Sequence, residues 1–145
     1  PVSFVNAPQI AEARGIVVRE TTSSDARDYV NLVSVRGEGG VHVAATLFGK
    51  AEAPRIVGID EHIVDLPPSR HMLVVHNEDV PGVIGKVATI LGNAGINISD
   101  MDVGASPSGA AALMAVATDR LVTPDVIAQI TALPDVQSAR AIDLE

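Results

Sequence analysis

Cysteine and tryptophan are absent from the 145-residue chain, and its only aromatic side chains are one tyrosine and two phenylalanines. The lack of cysteine excludes disulfides, thiolate metal ligands and cysteine nucleophiles. Because 47% of the residues are nonetheless hydrophobic, small aliphatic side chains must build the core. Two small halves with such thin cores would be marginally stable alone, which favours self-association as a further source of burial.

Positive charge is scarce as well. Ten lysines and arginines stand against 18 aspartates and glutamates, which gives a net charge of −8. Binding to nucleic acid or to an anionic membrane surface is therefore not expected. No apolar run approaches the roughly 18 residues that a membrane-spanning helix needs, and no signal peptide opens the chain. The sequence predicts a cytoplasmic protein with neither a nucleic-acid nor a membrane partner.

Motifs for cofactors, metals and catalysis are missing too. There is no G-x-G-x-x-G, and the glycines of the segment 82–87 do not have phosphate-loop spacing. The four histidines do not stand at metal-ligand spacings, and Asp100 and Asp102 are more typical of a solvated strand edge than of a cation site. No nucleophile is placed beside a base. We predict no catalytic residue, no metal and no cofactor in this chain.

The best boundary candidate is the segment 65–70, which contains Pro67 and Pro68. Paired prolines cannot continue a helix or a central strand, so they suit a stiff connector. We therefore divide the chain into residues 1–68 and 69–145. The predicted fold class is α+β: an antiparallel-sheet domain with one or two helices, followed by a ferredoxin-like βαββαβ domain.

The first part predicts one helix and several short strands. Pro8 favours a helix start, and Gly15 favours its end. Glycines within 37–40 predict a hairpin between the two longest strands. Runs rich in branched residues predict strands over 16–20, 29–36, 41–48, 55–59 and 62–66.

The second part alternates strand and helix. The predicted strands are 71–76, 96–103, 110–117 and 136–144, and the predicted helices are 81–94 and the segment between Thr123 and Pro134. In the second of these strands, Ile98 and Met101 have opposite parity although both are apolar. A regular strand cannot bury both on one face. We therefore expect either a bulge near Ser99 and Asp100 or a strand that is covered on both faces.

Polar residues stand where the first strand of the second part meets its helix. Asn77 and Asp79 precede Pro81 and Gly82. The free N–H groups and the dipole of a helix start near residues 81–84 favour a carboxylate, and a glycine lets a ligand come close. Asp79 can take an ammonium group, while Asn77 can both donate and accept. The arrangement suits a free α-amino acid; the alternative is that Asp79 only caps the helix.

The same residues carry a family resemblance. The run H-N-E-D-V-P-G-V-I-G-K-V from His76, followed by G-N-A-G-I-N-I-S from Gly92, resembles an ACT domain over residues 71–145. The runs V-S-F-V-N-A-P-Q-I-A-E-A-R-G-I and L-F-G-K…R-I-V-G-I-D resemble the intervening domain of the D-3-phosphoglycerate dehydrogenase family. The resemblance implies a partial intervening domain over 1–68, an ACT domain over 69–145, and an NAD-dependent oxidoreductase domain elsewhere in the parent chain.

The resemblance also implies a ligand, its contacts and a partner. In this family L-serine bridges two ACT domains of a homodimer or larger homo-oligomer and exerts feedback control. The implied serine-binding residues are Asn77, Asp79, Pro81, Gly82, Val83 and, from the neighbouring subunit, Asn97. A second, anion-binding site is implied at Lys50 and Arg55, with a solvated hairpin end as the alternative.

Two other functions stay open from the sequence. The chain would fit the regulatory region of a different amino-acid enzyme, such as an iron–sulfur L-serine dehydratase. It would also fit a pure dimerisation module that binds no ligand.

Overall fold

The computed structural model describes residues 2–3, 5–22, 29–106, 109 and 111–144, and these form two four-stranded antiparallel sheets and three helices. In chain order the elements are α1 (Ala7–Ala13), β1 (Val33–Arg36), β2 (His42–Phe48), β3 (Ala53–Ile59), β4 (His62–Leu66), β5 (His71–Glu78), α2 (Val83–Asn93), β6 (Ile98–Ala105), β7 (Ala111–Thr118), α3 (Pro124–Thr131) and β8 (Val136–Asp143). The predicted α+β class is confirmed. No helix among the described residues has the length and apolar character needed to cross a membrane.

The first sheet has the order β1-β2-β3-β4. The predicted hairpin joins β1 to β2, with Val35 opposite Val43. Helix α1 ends as expected, because Gly15 has a φ of +68° and its N–H donates to the carbonyl of Glu12. The strand predicted over 16–20 is wrong: these residues are exposed and have no strand structure.

The second sheet has the order β6-β7-β5-β8, which is the ferredoxin-like arrangement that the sequence predicts. Helices α2 and α3 cover one of its faces. Aliphatic side chains at helical spacing meet inward-facing residues of the strands there, because a helix repeats about every 3.6 residues and a strand every two. The buried residues of this cluster are Leu73, Val75, Val83, Val87, Leu91, Ile96, Met114, Val116, Val122, Val126, Ile130 and Val136.

The bulge predicted in the strand after α2 is present. β6 pairs with β7 through Ile98 opposite Thr118 and Asp100 opposite Ala117, which leaves Ser99 as the extra residue. The shift reverses the parity of the strand, so Met101 comes to lie opposite Val116 of the helix-side core. The bulge thereby resolves the conflicting pattern of apolar residues.

The opposite face of the second sheet packs against the first sheet. Strand β4 contacts β6 and β7, and Leu66 is fully buried against the second sheet. The shared cluster consists of Ile59, Val64, Leu66, Met72, Val74, Leu113 and Ala115. Gly104 of β6 allows the closest approach, since a Cβ atom built there would lie 2.2 Å from the carbonyl oxygen of Ile63. The paired prolines therefore connect two sheets that share one core.

Candidate functional site

The loop between β5 and α2 places the predicted amino-acid site at the start of a helix. The helix begins at Val83 rather than at Pro81, so the predicted start is two residues too early. Gly82 is the N-cap residue and has a φ of +93°, a left-handed conformation that side chains other than glycine's rarely adopt. This conformation turns the chain from the loop into α2, and it leaves Pro81 exposed in the turn before it.

Backbone donors are free at this helix start. The first intrahelical hydrogen bond runs from the N–H of Lys86 to the carbonyl of Gly82, with a distance of 3.1 Å. The N–H groups of residues 83–85 therefore have no acceptor within the helix. Val83 itself is 1% exposed, so its side chain belongs to the core and only its backbone can meet a ligand. Together with the helix dipole, these donors make a place for a carboxylate.

Asn77 supplies a buried polar side chain on the face of the second sheet that the helices cover. It is 3% exposed, and its Nδ2 donates to the carbonyl of Glu78 at 2.7 Å. Its Oδ1 is buried and has no hydrogen-bond partner among the described residues. An unsatisfied buried acceptor costs about 1–3 kcal/mol, so a ligand that donates a hydrogen bond here would remove a real penalty.

Asp79 lies in the same loop and is exposed. No side chain caps α2 by a hydrogen bond, so Asp79 does not act as the helix cap that its position in the sequence permits. Its carboxylate is thus available to a cation. An unpartnered amide oxygen at the end of β5, a carboxylate in the loop and backbone donors at the start of α2 therefore follow one another along the chain.

Asn97 lies at the other end of the sheet. It precedes β6, whose first residue pairs with Thr118, whereas Asn77 pairs with Ala112 near the far end of β7. Seven strand steps separate the two ends, which is about 23 Å at about 3.3 Å per residue. One chain therefore cannot bring Asn97 to its own loop, and a role of Asn97 in the site of a neighbouring subunit stays a prediction.

The backbone of Asn97 is fixed while its side chain stays free. Its N–H donates to Oδ1 of Asp119 at 2.9 Å, and its carbonyl accepts from the N–H of Asp119 at 3.0 Å. The side-chain hydrogen bond from Arg120 and the N–H of Asn97 lower the pKa of Asp119 below its ordinary value. The exposed side-chain amide of Asn97 has no hydrogen-bond partner in the part of the chain that the structure describes.

The ion pair of Lys86 with Asp135 lies beside the loop and is not indicated by the sequence. Nζ of Lys86 lies 2.8 Å from Oδ2 of Asp135, and the N–H of Glu78 donates to the carbonyl of Asp135 at 2.9 Å. Asp135 thus ties the loop after α3 to both sides of the candidate site. The partners stand 49 residues apart, so no local pattern announces the pair.

Lys50 and Arg55, the residues of the second implied site, lie at the β2–β3 hairpin. Lys50 is exposed in the turn, and Nε of Arg55 lies 2.6 Å from Oδ1 of Asp65. That hydrogen bond raises the pKa of Arg55 above its ordinary value, and Asp100 and Asp102 act in the same direction. An anion at Arg55 would have to compete with these carboxylates. The anion site stays a prediction.

The sequence also does not predict that a group of polar residues meets at the seam between the two sheets. Nε2 of His76 lies 2.9 Å from Oδ2 of Asp60, and the N–H of His42 donates to Oδ1 of Asp60 at 3.0 Å. His62 is 5% exposed, and its ring packs edge-on against that of His76 with centroids 5.9 Å apart. Among the described residues, no group of three or more possible ligands has a metal-binding arrangement. The residues come from three strands and the β3–β4 turn, so only the tertiary fold reveals them.

The stability of the chain should depend on acid pH through the contacts of Asp60. Burial raises the pKa of Asp60, but the hydrogen bonds from His42 and His76 outweigh it and lower the pKa below its ordinary value. The contribution of Asp60 to the stability is therefore present above about pH 3.9 and is lost as the pH falls through its lower folded-state pKa. Urea unfolding at about pH 6 and about pH 3 should show a smaller acid-induced loss of stability for Asp60→Asn than for the parent chain. Equal losses would contradict this assignment.

Comparisons with known proteins agree with this architecture. Residues 71–135 match the ACT domain family, and residues 1–60 match the D-3-phosphoglycerate dehydrogenase intervening domain. The matches define a class: an intervening domain followed by an ACT domain, each over one of the two sheets described above.

Curated relatives identify the parent family. D-3-phosphoglycerate dehydrogenase of Bacillus subtilis is 34% identical over 145 residues, which covers 99% of this chain and 28% of the relative. The enzymes of Synechocystis and Archaeoglobus fulgidus are 32% and 34% identical, again over 99% of this chain and over 26% and 28% of their own lengths. The chain carries the intervening and ACT domains of the D-3-phosphoglycerate dehydrogenase family, and it spans just over a quarter of the length of these relatives.

Proposed function

We propose that this chain is the regulatory part of a D-3-phosphoglycerate dehydrogenase and that it binds L-serine between two ACT domains for feedback control. The observation that carries the proposal is the buried Oδ1 of Asn77, which has no partner among the described residues and lies in the strand that leads to the uncapped start of α2. The parent protein would be an NAD-dependent oxidoreductase of the cytoplasm, with its cofactor bound outside the residues described here.

The chemistry of the loop matches a small zwitterion. The carboxylate would accept from the N–H groups at the start of α2, and the ammonium group would donate to Asp79 and to Oδ1 of Asn77. A serine hydroxyl both donates and accepts, which suits the side-chain amide of Asn97. The match of residues 1–60 to the D-3-phosphoglycerate dehydrogenase intervening domain favours a D-3-phosphoglycerate dehydrogenase over a serine dehydratase as the parent protein.

A two-fold pairing of β6 strands would complete the site. β6 is an edge strand, and Met101 and Val103 on it remain 37% and 36% exposed. When two such edges pair antiparallel about a two-fold axis, the start of one strand lies beside the end of the other. The end of β6 reaches Ala112, the residue that also pairs with Asn77. The pairing would therefore bring the partner's Asn97 toward the loop of the first protomer.

Calorimetric titration of the chain with L-serine tests ligand binding. We expect saturable heat for the parent chain and an affinity at least about tenfold weaker for Asn97→Ala, because one hydrogen bond to a charged or polar ligand is lost. Asn93→Ala is the matched control, since Asn93 is an exposed asparagine at the end of α2. A pure dimerisation module would give no heat with serine, and heat with other amino acids alone would overturn the choice of ligand.

Mixing two defective variants tests whether two subunits share each site. Asp79→Asn and Asn97→Ala should each bind weakly alone. In a mixed dimer, one site carries both defects and the other carries neither. After subunit exchange, an equal mixture should therefore recover about a quarter of the parent's binding sites. If one subunit built the whole site, the mixture would recover none.

A further inference from the structure

The seam between the two sheets holds a polar contact immediately next to the proposed ligand loop. Asp60 follows β3 in the first sheet, and His76 lies on β5 in the second, one residue before Asn77. Their side chains meet at 2.9 Å and are both 29% exposed. A contact this accessible makes only a modest contribution to stability, and its position next to the loop suggests a further role in positioning the loop.

Each partner of this contact is held by further hydrogen bonds. Oδ1 of Asp60 accepts a hydrogen bond from the backbone N–H of His42. The backbone carbonyl of Asp60 accepts from Nδ1 of the His42 ring at 2.9 Å. Oγ of Ser138, on β8, lies 3.3 Å from Nδ1 of His76. Among the described residues, Asp60 and His62 of the first domain contact the His76 ring. Arg140 of β8 lines the same cavity as His76 and Asp60.

His62 makes this cluster unusual in the molecule. Its imidazole is buried, yet neither ring nitrogen has a hydrogen-bond partner among the described residues. Such a group is costly to bury, so the position of the His62 ring against His76 is maintained by the surrounding fold rather than by its own polar contacts. The Asp60–His76 contact therefore lies beside a buried ring that the packing around it holds in place.

The backbone next to His76 links the two faces of the second sheet. Neighbouring residues of a strand point to opposite faces, so His76 faces the first sheet while Asn77 faces α2 and the ligand loop. The pairing with β8 is irregular between these two residues, where Ser138 and then Val136 lie opposite. The extra residue is Gln137, so β8 bends locally beside the residues that lead into the loop.

We infer that the Asp60–His76 contact couples the first domain to the effector loop, so that the β3–β4 turn and the loop 77–82 change together. This coupling is the route by which an occupied ACT site would act on the intervening domain, and in that respect it rests on the proposed function. The coupling itself is a property of the ligand-free chain and can be measured without serine.

The ligand-free test compares amide hydrogen exchange in the parent chain and in three variants of it. Asp60→Asn removes the charge of the contact, and Asp143→Asn is the matched control because Asp143 lies 3.3 Å from His71 at the other end of the same strand. We expect exchange in residues 77–82 to become several-fold faster in Asp60→Asn and to stay unchanged in Asp143→Asn. His76→Gln should act as Asp60→Asn does, which provides a second variant if the first fails to fold. Unchanged exchange of the loop in both would overturn the coupling.

The serine arm separates this inference from the proposed function. In the parent chain and in Asp143→Asn, serine should slow exchange in residues 59–63 of the β3–β4 turn, and in Asp60→Asn it should slow exchange only in the loop 77–82. Serine that binds without any effect on residues 59–63 of the parent contradicts the coupling but leaves the sensor intact. Absence of binding contradicts the sensor, and the ligand-free comparison then still decides the coupling.

Discussion

Replacing Leu66 by alanine is expected to lower the free energy of unfolding by about 2–5 kcal/mol. Leu66 ends β4 and has no exposed surface. It belongs to the cluster shared by both sheets, where it packs with Met72, Val74 and Leu113 of the second sheet. The substitution removes buried methyl groups and leaves a cavity that neighbouring strands cannot easily fill, because their backbones are fixed by sheet hydrogen bonds.

Urea unfolding followed by circular dichroism measures this effect. Ile63→Ala is the control: Ile63 is on the same strand but is 75% exposed, so its loss should change stability by no more than about 0.5 kcal/mol. A Leu66→Ala variant as stable as its control would mean that β4 does not pack on the second sheet. A parent that unfolds in two separate steps would mean that the shared cluster does not join the two domains into one cooperative unit.

Replacing Gly104 by alanine is the second large change, with an expected loss of about 1–3 kcal/mol or more. The added Cβ would lie 2.2 Å from the carbonyl oxygen and 3.1 Å from the carbonyl carbon of Ile63. These are backbone atoms of β4, which cannot rotate away as a side chain can. The two sheets would have to move apart, and the contacts of the shared cluster would be weakened.

Gly92→Ala separates this steric effect from the general effect of replacing glycine. Gly92 lies within α2, where an added Cβ would have no atom within 4 Å. Alanine is favoured over glycine in a helix by up to about 1 kcal/mol, so thermal unfolding should show this variant slightly more stable than the parent. If Gly104→Ala melted with the parent or above it, β4 and β6 could not be as close as the structure places them.

Much of the fold can be predicted from the sequence because its local signals agree. The glycines between β1 and β2 favour the turn that is found there, and the proline at the start of α3 favours a helix start. Even the bulge at Ser99 is readable, since Ile98 and Met101 are both apolar and a regular strand would send them to opposite faces. Branched residues alone are a weaker signal: the segment 16–20 is rich in them, yet no strand of the described chain pairs with it.

The candidate site is predictable in part for the same reason. Asn77, Asp79 and Gly82 are close in sequence, so their convergence at a helix start follows from local geometry. The start of α2 at Val83 does not follow from the sequence, because Gly82 takes a left-handed conformation that delays the helix beyond Pro81. The contacts of Asp60 and Asp135 lie beyond any local pattern, since each joins residues that only the packing of whole elements brings together.

The close seating of β4 on the second sheet also bears on how such a module could be inherited. An ACT unit copied into another gene without β4 would leave Met72, Val74, Leu113 and Ala115 facing water, because in this chain Leu66 and Val64 cover them. An uncovered apolar face of that kind invites unwanted association. An ACT domain with this outer face can therefore be transferred to another protein only together with its covering strand, or after polar residues have replaced the apolar ones on that face.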